Sequence, residues 1–255
     1  VTTGDIIWKR VDLRRRNLER KHQLLFQRVL SLQFAEVAAA VRTDNAMNAD
    51  KLVDLITTTP IEKAMMRLYE EVGIEFARDT FQQFKGKKDE YIDNWLAFMR
   101  SYVTSKCGNK IVSIAEGSRE QALKLIRAAI DSGIEEGRGT EEIARRIRNS
   151  LMRDSIPMNQ MRAVRIARTE VVGASNIGAM EGARETGQPM EKYWIAQKDG
   201  RARDSHTNVE LSGPVPLDEP FYVDGIPAEM PGDPSLPAEE VINCRCSVAF
   251  KVIAI

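Results

Sequence analysis

Apolar residues recur through the first two thirds of the chain at steps of three, four and seven, the spacing that lines up side chains on one face of a helix. Leu18, Leu25, Val29 and Leu32 mark one stripe and predict a helix from about Val11 to Arg42. Ile61, Met65, Leu68, Val72 and Phe76 mark a second, and Tyr91, Trp95 and Met99 begin a third. Ser118 followed by Gln121 has the form of a capping box ahead of Ala122, Leu125, Ile126 and Ala129. Gly137-Arg138-Gly139 interrupts that pattern, and Thr140 is placed to cap a further helix through Ile143, Ile147 and Leu151. No repeat of solenoid length is present.

Proline sharpens the division. None precedes Pro60, none lies between Pro60 and Pro157, and residues 214, 216, 220, 227, 231, 234 and 237 are all proline. A proline inside a helix costs about 3 kcal/mol, so this distribution predicts helices first and loops later. Between the two regions, Met158 to Gly187 reads as a helix rich in small residues. Ala174, Gly178 and Gly182 lie four apart on one face, where another backbone can approach closely. Arg165, Arg168 and Glu170 in the same segment argue against a membrane setting. Glu191 to Gln197 then has strand character, Asp199-Gly200 reads as a tight turn, and Cys244 to Phe250 reads as a last strand. The expected fold is α+β: a mainly helical, partner-binding region over 1–138, then a compact module over 139–255. That module would hold a helix, a small antiparallel sheet and long proline-rich loops.

Charge narrows the functional classes. Lys and Arg number 37, as do Asp and Glu, so no global positive field draws the chain to nucleic acid. Local basic clusters remain candidates for phosphate contact: Arg14-Arg15-Arg16 foremost, then Lys85-Lys87-Lys88, and Arg145, Arg146 and Arg148 with Arg153. Interleaved acids such as Glu19, Glu141 and Glu142 make these read chiefly as solvated helix faces, and no aromatic residues form a stacking platform. No apolar run approaches the roughly 20 residues of a membrane span, and the first residues lack the layout of a secretory signal. Three cysteines and two histidines fit a reducing compartment better than a disulfide scaffold.

The distinctive side chains gather late in the chain. Arg168-Thr169-Glu170 lies on the small-residue helix, followed by Asp199, Arg201, Arg203, Asp204 and His206, then by Asn243-Cys244-Arg245-Cys246. Arg168, Glu170, Asp199, Arg203, Asn243 and Arg245 read as a structural polar network. Acid–base catalysis by Glu170 has no evident partner nucleophile. On a strand, Cys244 and Cys246 would share a face with α-carbons about 6.6 Å apart, too far for an unstrained disulfide. They fit two free thiols packed as small apolar groups, or two zinc ligands with His206 as a third and Asp204 or Asp199 as a fourth. Cys107 reads as a core thiol, and His22 as part of a charged helix face. No glycine-rich phosphate loop, nucleophile elbow or HExxH helix occurs.

Taken in order, Ile166-Ala167-Arg168-Thr169-Glu170, Trp194, Asp199-x-Arg201-x-Arg203-x-x-His206 and Asn243-Cys244-Arg245-Cys246 resemble the phage Mu F-like head morphogenesis family from about Gly139 to Val252. Many members carry a CxxC pair near Ser205-His206 and a His-Pro before the final cysteines, an arrangement that looks like a metal site. Here the first pair is missing and Val241-Ile242 precede Asn243. The resemblance implies a noncatalytic minor head protein of a tailed bacteriophage, present in few copies in the virion capsid at the portal and assembled in the host cytoplasm. Its implied partners are the portal protein, a major capsid or scaffold protein, and packaged DNA through nonspecific contact. Two competing readings are an ADP-ribosyltransferase-like or metal-dependent hydrolase using Arg168, Glu170 and His206, and a DNA-binding assembly factor.

Overall fold

The computed structural model describes residues 3–86 and 91–253. Helix α1 runs from Thr3 to Ala40, followed by the short α2 (Ala49–Val53). Helix α3 (Thr59–Leu68) passes through a π-helical turn, Tyr69–Gly73, into α4 (Ile74–Lys85). Then come α5 (Ile92–Lys106), α6 (Gly108–Glu135) and α7 (Thr140–Asn149). A second π-helical turn, Ser150–Asp154, leads into α8 (Ser155–Glu185). The remainder is β1 (Met190–Ile195), α9 (Asp204–Leu211), β2 (Val215–Pro216), β3 (Phe221–Val223), β4 (Ile226–Ala228), α10 (Ala238–Val241) and β5 (Ser247–Val252). The architecture is α+β, with long helices first and a small antiparallel sheet last.

Packing divides the chain into two units that are not contiguous in sequence. One comprises Val1–His22, Met65–Cys107 and Arg165–Ile255; the other comprises Gln23–Ala64 and Gly108–Val164. The division expected at residue 138 follows chain order, whereas α1 and α8 each contribute residues to both units.

The second unit is a helical assembly. Phe34 and Val37 of α1, Val41 just beyond it, Leu52 and Ile56, Ala122, Ile126 and Ile130 of α6, and Ile143 and Ile147 of α7 lie in its core. Ser118 lies inside α6 instead of capping it. Its hydroxyl donates to the Ile114 carbonyl at 3.0 Å and accepts from Arg162 at 2.9 Å, so the polar side chain is used for packing within the unit. Gly139 occupies the cap position before α7, and Thr140 is the first helical residue. Helix α6 ends in a left-handed Gly137 (φ +66°), with the Arg138 N–H returning to the Gly133 carbonyl at 2.8 Å. The π turn at Ser150–Asp154 lies just ahead of Pro157, whose ring would clash with the carbonyl four residues back in a regular helix.

The first unit holds the sheet. Strands are ordered β2-β1-β5, with Trp194 opposite Val248 and Ile195 opposite Ser247. A separate hairpin joins β3 to β4 through Asp224 (φ +46°) and Gly225 (φ +82°), the two left-handed positions of a type I′ turn. The chain bends at Asp199-Gly200, with Gly200 left-handed (φ +75°), on its way from β1 to α9, and short strands occupy the stretch that reads as proline-punctuated loop. The face bearing Ala174, Gly178 and Gly182 does admit another backbone. A β-carbon at Gly178 would lie 2.2 Å from the Gly73 carbonyl oxygen, and one at Gly182 would lie 2.2 Å from that of Ala77.

Candidate functional site

The site begins on α1, whose inward stripe changes character halfway along. Trp8, Asp12, Arg15, Glu19, His22, Phe26, Leu30 and Phe34 follow one another at steps of three and four, and all but the half-buried Glu19 are buried. The first half of this stripe is polar and the second half apolar. The expected stripe, Leu18 to Leu32, lies one position to its side and is half-buried, with Leu32 52% exposed. Arg15 is only 1% exposed. Its Nε donates to Ser175 Oγ (2.7 Å) and Nη2 to Asn176 Oδ1 (2.6 Å); Nη1 donates to the Cys246 carbonyl (3.0 Å) and Ser247 Oγ (2.9 Å). Asn176 in turn donates to the carbonyls of Pro231 and Cys246 and accepts from the Val248 N–H. Burial pulls the Arg15 guanidinium down to about 10, against the opposing pull of Cys244, Cys246, Asp12 and Glu19, so it stays cationic at neutral pH.

The motifs on α8 and before β5 meet at Asn243. Its backbone is left-handed (φ +60°), which turns the chain out of α10. The Asn243 N–H donates to Thr169 Oγ1 at 3.1 Å, and Arg168 donates to the Asn243 side chain at 3.3 Å. Arg245 reaches back to α1, bonding Asp12 at 2.6 Å and Glu19 at 3.0 Å, while Arg168 lies 3.8 Å from Glu19. Trp8 donates to the Arg245 carbonyl at 2.9 Å. Arg203 donates to the Ile242 carbonyl at 2.7 Å. Two of the expected network members stand elsewhere. Glu170 faces Tyr69, whose hydroxyl donates to it at 3.0 Å, because residues two apart on a helix point to different sides. Asp199 pairs with Arg201 and Gln197.

Beside this frame lies a compact cluster. His206 Nδ1 is 3.3 Å from Cys246 Sγ and 3.7 Å from Cys244 Sγ, and the three candidate ligand atoms lie within 4.8 Å of one another. Each residue is about 1% exposed. The cysteines are not on the strand: they precede β5, and the Cys246 N–H donates to Cys244 Sγ at 3.4 Å. Hydrogen bonding from Cys246, and then His206, holds the Cys244 thiol well below the usual range. Cys246 is pushed up by its hydrogen bond to Cys244 and by burial, and by the repulsion a second thiolate would meet beside the first. On the far side of the imidazole, Nε2 is 2.9 Å from Glu240, which also accepts from Ser205 at 2.9 Å. Trp194 packs edge-on against His206, with ring centroids 5.1 Å apart, and against Phe221.

The structure brings His206, Cys244 and Cys246 together, although not on a strand, and neither Asp199 nor Asp204 joins them. Glu240, Asp12, Glu19, Arg15 and Asn176 complete the region and carry no motif that marks them; only the three-and-four spacing of Asp12, Arg15 and Glu19 points inward. The basic patch at Arg14-Arg15-Arg16 is not a free surface. Arg15 is buried, Arg14 pairs with Glu75 and Asp79, and Arg16 pairs with Asp12. Arg145 and Arg146 are likewise paired, with Glu142 and Glu136. Lys87 and Lys88 lie outside the described residues. Cys107 is buried as expected, and so is His22, 3.6 Å from Glu71 instead of on a charged surface. Among the described residues no helix is long and apolar enough to cross a membrane.

In comparison with known protein families, residues 124–249 fit the model of a family described as Phage Mu protein F like protein. No curated protein and no solved structure matches the chain.

Proposed function

Through residues 124–249 this chain belongs to the Phage Mu protein F like family, a family of phage head proteins; from that premise we propose that it is a minor head protein which docks on the portal and assists head assembly and the handling of packaged DNA. The observation that carries the noncatalytic part of this reading is burial. Glu170 is 4% exposed, and His206, Cys244 and Cys246 are about 1% exposed, so the side chains capable of chemistry face the interior of the unit and not a substrate cleft. Glu170 accepts from the Tyr69 hydroxyl and His206 lies between Glu240 and the two thiols, while Arg15 and Arg203 around them donate to backbone carbonyls and brace loops.

A partner surface is available on α1. Ile6, Leu13 and Leu24 are 60%, 65% and 67% exposed and stand seven and eleven residues apart, close to two and three full turns. They share one outward face with the exposed Lys9, Arg10, Arg16, Asn17 and Arg20, and a mixed apolar and basic face of this kind suits an amphipathic partner. The test is co-expression of the full chain with a portal protein from the same genome, followed by co-purification and analysis of assembled heads. Association that is lost in Leu13→Glu with Leu24→Glu, with the fold intact, is the expected result. A chain that is absent from heads and ignores the portal would overturn the reading. NAD turnover or DNA cleavage abolished by Glu170→Gln would replace it with an enzymatic one.

A further inference from the structure

We propose that Cys244 Sγ, Cys246 Sγ and His206 Nδ1 hold one zinc ion that fastens α9 to the turn entering β5. The argument is independent of any head or portal role. In a tetrahedral zinc centre, Zn–S bonds of about 2.3 Å and Zn–N bonds of about 2.0–2.1 Å place sulfur and nitrogen about 3.6 Å apart. The two sulfur–nitrogen distances here, 3.3 and 3.7 Å, bracket that edge. Thiolate and imidazole donors in a tetrahedral set select zinc over the hard divalent cations, which take oxygen ligands.

Three further features belong to such a centre. The carboxylate of Glu240 lies 2.9 Å from His206 Nε2 and favours a proton on that nitrogen, so a metal would take Nδ1, on the side of the sulfurs, in place of the proton it shares with Cys244. This is the carboxylate–histidine–metal arrangement, and Ser205 holds the same Glu240 oxygen in place. The Cys246 N–H bonded to Cys244 Sγ stabilises sulfur in its anionic, ligating form. Finally, the three donors are sealed from solvent by Trp194, with its ring against His206.

No further thiol, imidazole or carboxylate of the described residues joins the three donors, so water or a small anion takes the fourth position. Burial denies that position to substrate, which makes the ion a clasp and not a catalyst. Thiols ligate as thiolates, so zinc uptake at neutral pH releases acid.

The test uses the full chain, purified without a metal-affinity tag and analysed for metal by mass spectrometry. One zinc per chain is expected in the native protein and in Cys107→Ser, with its loss in Cys244→Ser, Cys246→Ser and His206→Gln. Glu240→Gln should keep the site but weaken zinc affinity about 10–100-fold. Because a ligand variant can fail to fold, the native protein supplies a second readout. Chelation should expose two additional thiols to alkylation in step with zinc release, and cobalt(II) should restore protection with thiolate-to-metal charge-transfer absorption. A folded native chain that carries no zinc, takes up neither zinc nor cobalt, and shows the same thiol reactivity with and without chelator overturns the proposal. A Cys244–Cys246 disulfide in the chain as isolated under reducing conditions does the same.

Discussion

Gly178 of α8 lies against Gly73 so closely that a β-carbon there would meet the Gly73 carbonyl oxygen at 2.2 Å. One helical turn later Gly182 meets the backbone of Ala77 in the same way. Both contacts are with backbone, which cannot swing aside as a flexible side chain can. The π-helical turn ending at Gly73 is thus held at a fixed height on α8, and the small-residue stripe is the seat that holds it.

The first prediction follows from that seat. In an exposed helix Gly→Ala gains up to about 1 kcal/mol. At Gly178 or Gly182 the overlap should reverse the sign and cost about 2–3 kcal/mol or more, since a packed interface resists added volume. Gly108→Ala, where nothing lies within 4 Å of the added carbon, should be neutral or stabilising. Chemical denaturation of the three variants decides the matter, and equal stabilities would show that the helices simply move apart.

Arg15 yields the second. Its guanidinium satisfies two hydroxyls, an amide oxygen and a carbonyl from α8 and the approach to β5. Arg15→Met leaves those acceptors buried without a donor, and we expect a loss of about 3–5 kcal/mol. Arg15→Lys should fare little better, because an ammonium cannot span the same fork. Arg16→Ala removes an exposed side chain whose buried partner Asp12 keeps its pair with Arg245, and should cost no more than about 1 kcal/mol. A thermal shift that ranks Arg16 above Arg15 would contradict this account.

These two cases mark what the sequence makes legible. Apolar stripes such as Ile61-Met65-Leu68-Val72-Phe76 and the small-residue face of α8 announce themselves through spacing alone, and every member of the first is buried. His206, Cys244 and Cys246 stand out by donor type, but their convergence is a product of the tertiary fold. Arg15 and Asp12 were hidden because polar side chains are ordinarily solvated, and only their long-range partners, more than 200 residues away, make burial tolerable. Ser118 misleads for the opposite reason: its neighbours imitate a cap, but the hydroxyl satisfies itself against Ile114 inside a longer helix. The short strands among the prolines are set by pairing with β1 and across the hairpin, which local propensity does not encode.

Asn243 supplies the third prediction. Its φ of +60° is a conformation that asparagine tolerates and β-carbon-bearing residues generally resist. Asn243→Ala should cost about 1–2 kcal/mol from that strain, with a further loss as Arg168 gives up its partner. Asn243→Gly removes the strain and keeps the backbone bond to Thr169, so it should cost less than the alanine variant. The ordering Gly above Ala, read from thermal midpoints, is the diagnostic, since a role for the amide side chain alone would make the two equal.

The last prediction concerns Lys192, which is 1% exposed, donates to the Glu229 carbonyl at 2.9 Å and lies 5.0 Å from the centre of the Phe221 ring. Burial, reinforced by the charge of Arg184, lowers it from 10.5 to about 8. Between those two values the unfolded chain binds the proton and the folded chain has released it, so unfolding takes up a proton. Stability must therefore rise with pH across that window. The burden of the buried charge, about 3 kcal/mol at 1.36 kcal/mol per pH unit, is fully present below pH 8 and is relieved as the pH approaches 10.5. Tyrosines and cysteines titrate in the same range, so the informative quantity is the difference between the native chain and Lys192→Met. That difference should change steadily in favour of the native chain from pH 8 upward and be flat from pH 6 to 7.5. Urea midpoints measured in parallel at each pH provide it, and parallel curves for the two proteins would mean that Lys192 keeps its ordinary affinity for the proton in the folded state.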